Sequence, residues 1–285
     1  MPELPEVEVL VRHLAPLLEG KIIRGVQVRR VKVLGATNER RFRATLLGAR
    51  FLRVQRRGKF LLFTLRPRRG RQDFFLYGHL GMTGRMYLQS SRRPVAKHAA
   101  VILRLGKLSF VYEDTRYFGR LTLDDKSVLR LGPEPFAAEF SPAYFRAALQ
   151  RSAQPIKVKL LDQSLVAGVG NIYASEALFR AAISPKLPAR KLSPKSVERL
   201  RQALIDVLDE AIQLGSTLPL DWSGGGARDG LFYYGRTDGA VDYYAERLMV
   251  YDRAGQPCLQ CGAAIRRIVQ AARSTFYCAR CQPAR

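Results

Sequence analysis

Apolar positions along this chain change their spacing twice. Over 5–19, Val7, Leu10, Val11, Leu14, Leu17 and Leu18 recur at three- and four-residue steps, which predicts an amphipathic helix. Pro5 suits its first turn, and Glu6 and Glu8 suit the positive end of its dipole. Pro16 should disturb the helix late and Gly20 can end it. From about 22 to 123 the period falls to two. Val26, Val28, Val31 and Val33 alternate with polar residues, followed by Phe51–Val54, Phe60–Phe63, Val101–Leu105, Leu108–Tyr112 and Leu121–Leu123. Short strands separated by glycine-containing turns predict a β-sandwich or barrel-like domain.

Beyond Gly132–Pro135, which reads as a linker, helical spacing returns. Ser141–Pro142 and Ser193–Pro194 each pair an N-cap with a first-turn proline. Val197, Leu200, Leu204, Val207, Leu208, Ala211 and Leu214 form one apolar face, with Gly215 at the expected stop. Ser223–Gly226 opens a segment rich in tyrosine and glycine that runs to Tyr251, and Ile265–Val269 and Thr275–Tyr277 read as a hairpin. No internal repeat occurs. The succession of strands, helices and a terminal hairpin is an α+β pattern.

Composition narrows the partner. An apolar share of 47% supports a real core, and no apolar run approaches the ~18 residues of a membrane span. The acidic start lacks the basic and apolar regions of a secretion signal, so an intracellular, cytoplasmic location is expected. Lys and Arg number 48 against 24 Asp and Glu, and residues 21–71 hold 17 of the cations against one acid, Glu39. Such a block favours a polyanion through Coulomb attraction and counterion release, and nucleic acid before an acidic membrane. All four cysteines lie near the end, as Cys258-Leu-Gln-Cys261 and Cys278-Ala-Arg-Cys281. Two such knuckles supply the corners of a closed tetrahedral zinc site, structural because no coordination position stays open. Two disulfides are the alternative, which a reducing compartment disfavours.

Four stretches then stand together: Met1–Glu6 (MPELPE), Gln55–Lys59 (QRRGK), Gly168–Tyr173 (GVGNIY), and the paired knuckles with Arg273 between them. In combination the chain resembles the formamidopyrimidine-DNA glycosylases, bacterial enzymes that remove oxidised purines from DNA. The resemblance runs nearly end to end. It implies a catalytic β-sandwich domain with an N-terminal helix (1–132), a helix-two-turn-helix domain (133–222), and a lesion-lid loop with a β-hairpin zinc finger (223–285). It implies that loss of Met1 exposes the Pro2 nitrogen, an amine titrating near ~8 that is partly neutral and nucleophilic at pH 7. Glu3 becomes the acid/base beside it. Lys59 and Arg273 become phosphate-gripping residues that assist elimination. Glu6 and Glu8 read mainly as helix-end residues.

The same resemblance implies a DNA-binding set. Met82 and Phe118 match wedges that fill the gap left by an everted base, and Arg116 matches the residue that pairs with the orphaned partner base. By their own residue type Met82 and Phe118 would read as core. His98, Lys157 and Asn171 match DNA-contacting positions, Asn171 also as the N-cap of a helix over Ile172–Ala182. His79 reads as structural as readily as functional. Two departures stand out. Tyr117 occupies a position usually held by a second arginine, and Thr217–Tyr251, with Phe232–Tyr234, Tyr243 and Tyr244, is longer than the related lids. The expected partner is double-stranded DNA with oxidised or abasic sites, bound by a monomer carrying one Zn2+. Two rivals stay open: an endonuclease VIII-like enzyme for oxidised pyrimidines, and a non-catalytic zinc-dependent binder of damaged DNA.

Overall fold

The computed structural model describes residues 2–70, 72–216 and 248–283. They form two compact units, Met1–Leu129 and Arg130–Leu214 with the C-terminal segment. Among the described residues no helix is long and apolar enough to cross a membrane.

The first unit opens with α1 (Leu4–Leu18), and Val7, Leu10, Val11, Leu14 and Leu18 face the core as their spacing predicts. The helix passes through Pro16 and stops at Glu19, before Gly20 at φ 82°. Next come β1 (Gly25–Val28), α2 (Glu39–Leu46), β2 (Arg50–Arg57), β3 (Phe60–Arg66), β4 (Phe74–His79), β5 (Gly84–Ser90), β6 (Ala99–Arg104), β7 (Leu108–Asp114), β8 (Arg120–Thr122) and the short α3 (Lys126–Leu129). Two four-stranded antiparallel sheets result, ordered β1-β6-β7-β5 and β2-β3-β4-β8. Their inner faces share one core, in which Phe63 meets Phe51 and Phe110 edge-on at centroid distances of 5.9 and 5.6 Å. This is the expected sandwich.

Two local expectations fail. Val31–Leu34 is a 3-10 turn rather than a strand: Val33 and Leu34 are buried and Val31 is exposed, so the alternation there is not that of a sheet. Residues 39–46 form α2, capped by Asn38, whose side chain accepts from the Arg41 N–H. Phe42 and Leu46, four residues apart, bury its one apolar edge.

The second unit holds α4 (Pro142–Gln150), α5 (Ile156–Leu160), α6 (Asn171–Arg180) and α7 (Pro194–Ser216). Ser141 and Ser193 cap as expected, accepting from the N–H groups of Tyr144 and Ser196. The last helix continues one residue past Gly215. At the C-terminus β9 (Ile265–Gln270) and β10 (Arg273–Cys278) make the predicted hairpin, turned by Ala271 and Ala272 at φ 47° and 58°. Phe179 of α6 packs with Val250, Ile265 and Phe276, which seats the hairpin on the helices.

Candidate active site and DNA-binding surfaces

The head of α1 is closed, not frayed. Pro2 and Glu3 are both buried, and Glu6 Oε2 accepts from the Glu3 N–H at 2.8 Å within a reciprocal capping box. Glu6 therefore serves the helix end, which satisfies an orphan donor and complements the dipole. Glu8, one turn on, binds Arg56 of β2 at 2.8 Å and Arg12 at 2.9 Å. Burial pushes its carboxyl up, but the two guanidinium partners outweigh that and hold it below the usual carboxylate range. Arg56 also donates to the Gly58 carbonyl at 3.2 Å, so one ion pair ties α1 to the turn that delivers Lys59. Lys59 is buried, where an ammonium must be paired or hydrogen-bonded. Across the β3–β4 register, His79 Nδ1 accepts from the Gly81 N–H at 3.1 Å, with its ring 4.7 Å from Phe60. Burial, then the charges of Lys59 and Arg120, lower His79 to about 4, so it is neutral at pH 7 with Nδ1 accepting from the Gly81 N–H.

A second group sits on two loops of the same unit. Met82 and Phe118 are 42% and 49% exposed, so they belong to the surface and not the core. What aims them is Asp114, which is fully buried. Its Oδ1 accepts from Thr83 Oγ1 at 2.6 Å and the Arg116 N–H at 3.1 Å, and its Oδ2 from the Gly119 N–H at 2.9 Å and Tyr112 Oη at 3.3 Å. One carboxyl thus fastens the Met82 turn to the Arg116–Phe118 loop. The loops meet backbone to backbone: a Cβ on Gly81 would lie 2.5 Å from the Gly119 nitrogen. Arg116 lies over the Phe118 ring at 4.8 Å. His98 is half-buried, its ring 6.4 Å from Tyr117, and its carbonyl accepts from the Asp114 N–H. Sequence reasoning passed over Asp114, because its donors lie up to 31 residues away and include two backbone groups.

In the second unit Lys157 and Asn171 turn inward. Lys157 is fully buried, and its ammonium donates to Asn171 Oδ1 and to the Ser274 carbonyl at 3.3 Å. Asn171 Nδ2 donates to the same carbonyl at 2.9 Å. The N-cap of α6 is Gly170, one residue before Asn171, so Asn171 does not cap through its side chain. Both side chains clamp the residue next to Arg273, which stands exposed at the start of β10. Glu176, also unforeseen, is a buried acid that accepts from the N–H groups of Met249, Val250 and Tyr251 at 2.8 to 3.0 Å. Burial pushes its carboxyl up against the pull of those three bonds. Its sequence signal was an acid inside a mostly apolar helix.

Behind the hairpin, the four cysteine sulfurs lie within 4.8 Å of one another, Cys258 to Cys281 at 3.9 Å and Cys261 to Cys278 at 3.5 Å. Tetrahedral Zn–S bonds of ~2.3 Å require S···S separations of about 3.8 Å. The four residues therefore fit one structural Zn2+. The proposed lid falls largely on 217–247, outside the described residues.

Comparison with known proteins agrees along the whole chain. Residues 1–121 match the formamidopyrimidine-DNA glycosylase N-terminal domain, 131–219 its H2TH domain, and 255–284 the zinc finger found in FPG and IleRS. The formamidopyrimidine-DNA glycosylase of Thermus thermophilus is 42% identical over 99% of this chain and 98% of its own, and that of Bacillus licheniformis 38% over 99% of each. The Lactococcus lactis enzyme, solved non-covalently bound to DNA containing an AP site, superposes with TM-score 0.84 at 31% identity, covering 99% of this chain and all of that one. The T. thermophilus MutM structure gives 0.80 at 41%, covering 99% and 98%. With sandwich, helical unit and four-cysteine hairpin all matched, this chain belongs to the formamidopyrimidine-DNA glycosylase family.

Proposed function

We propose that this chain is a bifunctional DNA glycosylase and abasic-site lyase that excises oxidised purines, 8-oxoguanine and formamidopyrimidines, from duplex DNA. The observation that carries the reading is the burial of Pro2 and Glu3 at the head of α1, where an ordinary chain end would be solvated. Once Met1 is removed, the Pro2 nitrogen donates its lone pair to the sugar C1′, and the glycosidic electron pair leaves with the base. The nitrogen sheds its proton to Glu3, which returns it to the ring oxygen as the sugar opens to an iminium. That cation acidifies the C2′ proton, so loss of the 3′-phosphate by β-elimination and of the 5′-phosphate by δ-elimination follows. Water then releases Pro2.

Lys59 and Arg273 hold phosphates and assist the eliminations. Met82, Phe118 and Arg116 occupy the space of the everted base and address its partner, and His98 contacts the backbone. Lys157 and Asn171 belong to the DNA-binding machinery through the carbonyl they hold beside Arg273. When bound, zinc supplies rigidity to the hairpin and no reacting group. The domains run as 1–132, 133–222 and 223–285, and the enzyme works as a monomer in the bacterial cytoplasm, on the nucleoid. Relatives solved with DNA containing Fapy-dG favour the purine reading over the pyrimidine one.

Borohydride trapping on an abasic duplex, followed by single-turnover excision on a panel of lesion duplexes, tests the reading. A covalent adduct lost in Pro2→Gly and a preference for oxidised purines are expected. Absence of an adduct from protein shown by mass spectrometry to begin at Pro2 would overturn the covalent chemistry and leave a binding protein.

A further inference from the structure

Arg30 and Lys32 bracket the start of the 3-10 turn Val31–Leu34, and both are exposed. The backbone there is fixed: the N–H groups of Arg29 and Arg30 both reach the Ala100 carbonyl of β6, at 2.8 and 3.2 Å. From this anchored segment the two cations extend over the neighbouring loop. The Arg30 guanidinium lies 5.4 Å from the Tyr117 ring centroid, and the Lys32 ammonium 5.8 Å from that of Phe118. Tyr117 is itself immobilised, at φ 52°, half-buried against the sandwich core and inside the loop that Asp114 holds.

An exposed cation–aromatic contact stabilises a fold by only about 0.5–1 kcal/mol, so stability is a weak reason for two of them on one loop. Their effect on a ligand is larger. The Tyr117 ring covers one side of the Arg30 guanidinium; Nη1 makes a long bond of 3.4 Å to the adjacent Arg29 carbonyl, and the other rim N–H groups keep the planar fork that suits a phosphate. Among the described residues no carboxylate pairs with Arg30 or Lys32. The two charges also lie beside the exposed Phe118 and Arg116, where a duplex is expected to be opened. Tyr117 has no charge of its own but holds one in place.

We propose that Arg30, stacked on Tyr117 and flanked by Lys32, is a DNA-phosphate-binding ledge next to the wedge loop, supplying the cation that position 117 lacks. The inference rests on the reading of the chain as a binder of damaged duplex DNA. It predicts that the guanidinium is pre-organised, so that little rotamer entropy is lost when a phosphate docks.

Fluorescence anisotropy on the full-length zinc-loaded protein, with a duplex carrying a tetrahydrofuran abasic analogue, reads the effect over a salt series. Arg30→Ala should weaken binding about tenfold near physiological salt and reduce the salt slope by about one. Lys32→Ala should do less. Tyr117→Leu, which removes the platform and keeps the charge, should weaken binding without changing the slope. Tyr117→Arg in the Arg30→Ala background should restore both, provided melting temperatures match. Wild-type affinity and slope in Arg30→Ala, with Arg116→Ala impaired on the same duplex, would overturn the ledge. Failure of the wild-type protein to prefer that duplex over an undamaged one would overturn the parent reading instead.

Discussion

Two tight turns present side chains to solvent, and they are stiffened by different chemistry. The Arg116–Phe118 loop has Tyr117 at φ 52° and is held by one buried carboxyl that gathers four donors. The Ala271–Ala272 turn, at φ 47° and 58°, has the four clustered cysteines at its base and is held from the side by Lys157 and Asn171 on the Ser274 carbonyl. The first can use hydrogen bonds because the sandwich core surrounds it. The second is a two-stranded hairpin whose own fully buried apolar side chains are few: Ile265 of β9, and Phe276 and Tyr277 of β10 besides the cysteines. A hairpin that small needs a metal. The two regions should therefore fail independently and under different treatments.

The largest effect separates them most sharply. Stripping zinc with a strong chelator removes an apparent binding free energy on the order of 10 kcal/mol from the hairpin. Hydrogen exchange should then show lost protection in β9 and β10, while the strands of the sandwich keep theirs. Equal loss in both regions would mean that the sandwich also depends on the metal.

Asp114→Ala is the converse. It leaves two N–H groups and two hydroxyls without their acceptor, at about 1–3 kcal/mol for each buried group that finds no substitute. A loss of about 4 kcal/mol in urea unfolding of the sandwich is expected, with hairpin protection unchanged and wedge-dependent binding abolished. Asp114→Asn, which retains one acceptor, should fall between. Unaltered binding in either variant would show that the two loops are aimed without this brace.

Legibility in the sequence follows the same division. The knuckles, the hairpin strands, the long apolar faces of α1 and α7 and both Ser-Pro caps could be read because each signal lies within a few adjacent residues. The helix α2 was missed because Phe42 and Leu46 are its only buried residues, with three arginines and a glutamate crowded into 39–43. At 31–34 the Val-Lys-Val spacing fits a strand and a 3-10 turn alike, and only the pairing of β1 with β6 decides. The site residues were legible as types and not as environments. Lys157 looks like one more surface cation until its burial is seen, and Asp114 has no local pattern at all.

A smaller effect comes from pH. His79 is held near 4 against an ordinary value of 6.5, so between those limits the unfolded chain binds more protons than the folded one. The neutral ring's contribution is complete above about 6.5 and is lost as pH falls toward 4, with a slope of at most about 1.4 kcal/mol per pH unit. Urea unfolding of the sandwich between pH 7 and 5 should show that slope, and His79→Gln should flatten it. The hairpin turn lacks such a histidine, and its protection should not follow the same curve.

The smallest effect concerns the tie between α1 and Lys59. Glu8 and Arg56 are both mostly shielded, at 21% and 9% side-chain exposure, yet Glu8 keeps a second partner at the surface in Arg12. Glu8→Gln should therefore cost only about 1 kcal/mol at pH 7, between the value of an exposed pair and that of a sealed one. Because the carboxyl is held low, this contribution exists above the ordinary carboxylate range and disappears as pH falls through the lowered value, so wild type and variant should converge in acid. The same change removes one partner of Arg56, which also holds the Gly58 carbonyl at the turn into Lys59. If Lys59 acts as proposed, single-turnover cleavage should slow by about two- to fivefold, since a displaced reacting group is penalised even by small shifts. A stability loss without any kinetic change would mean that Gly58 and its neighbours fix Lys59 without help from Glu8.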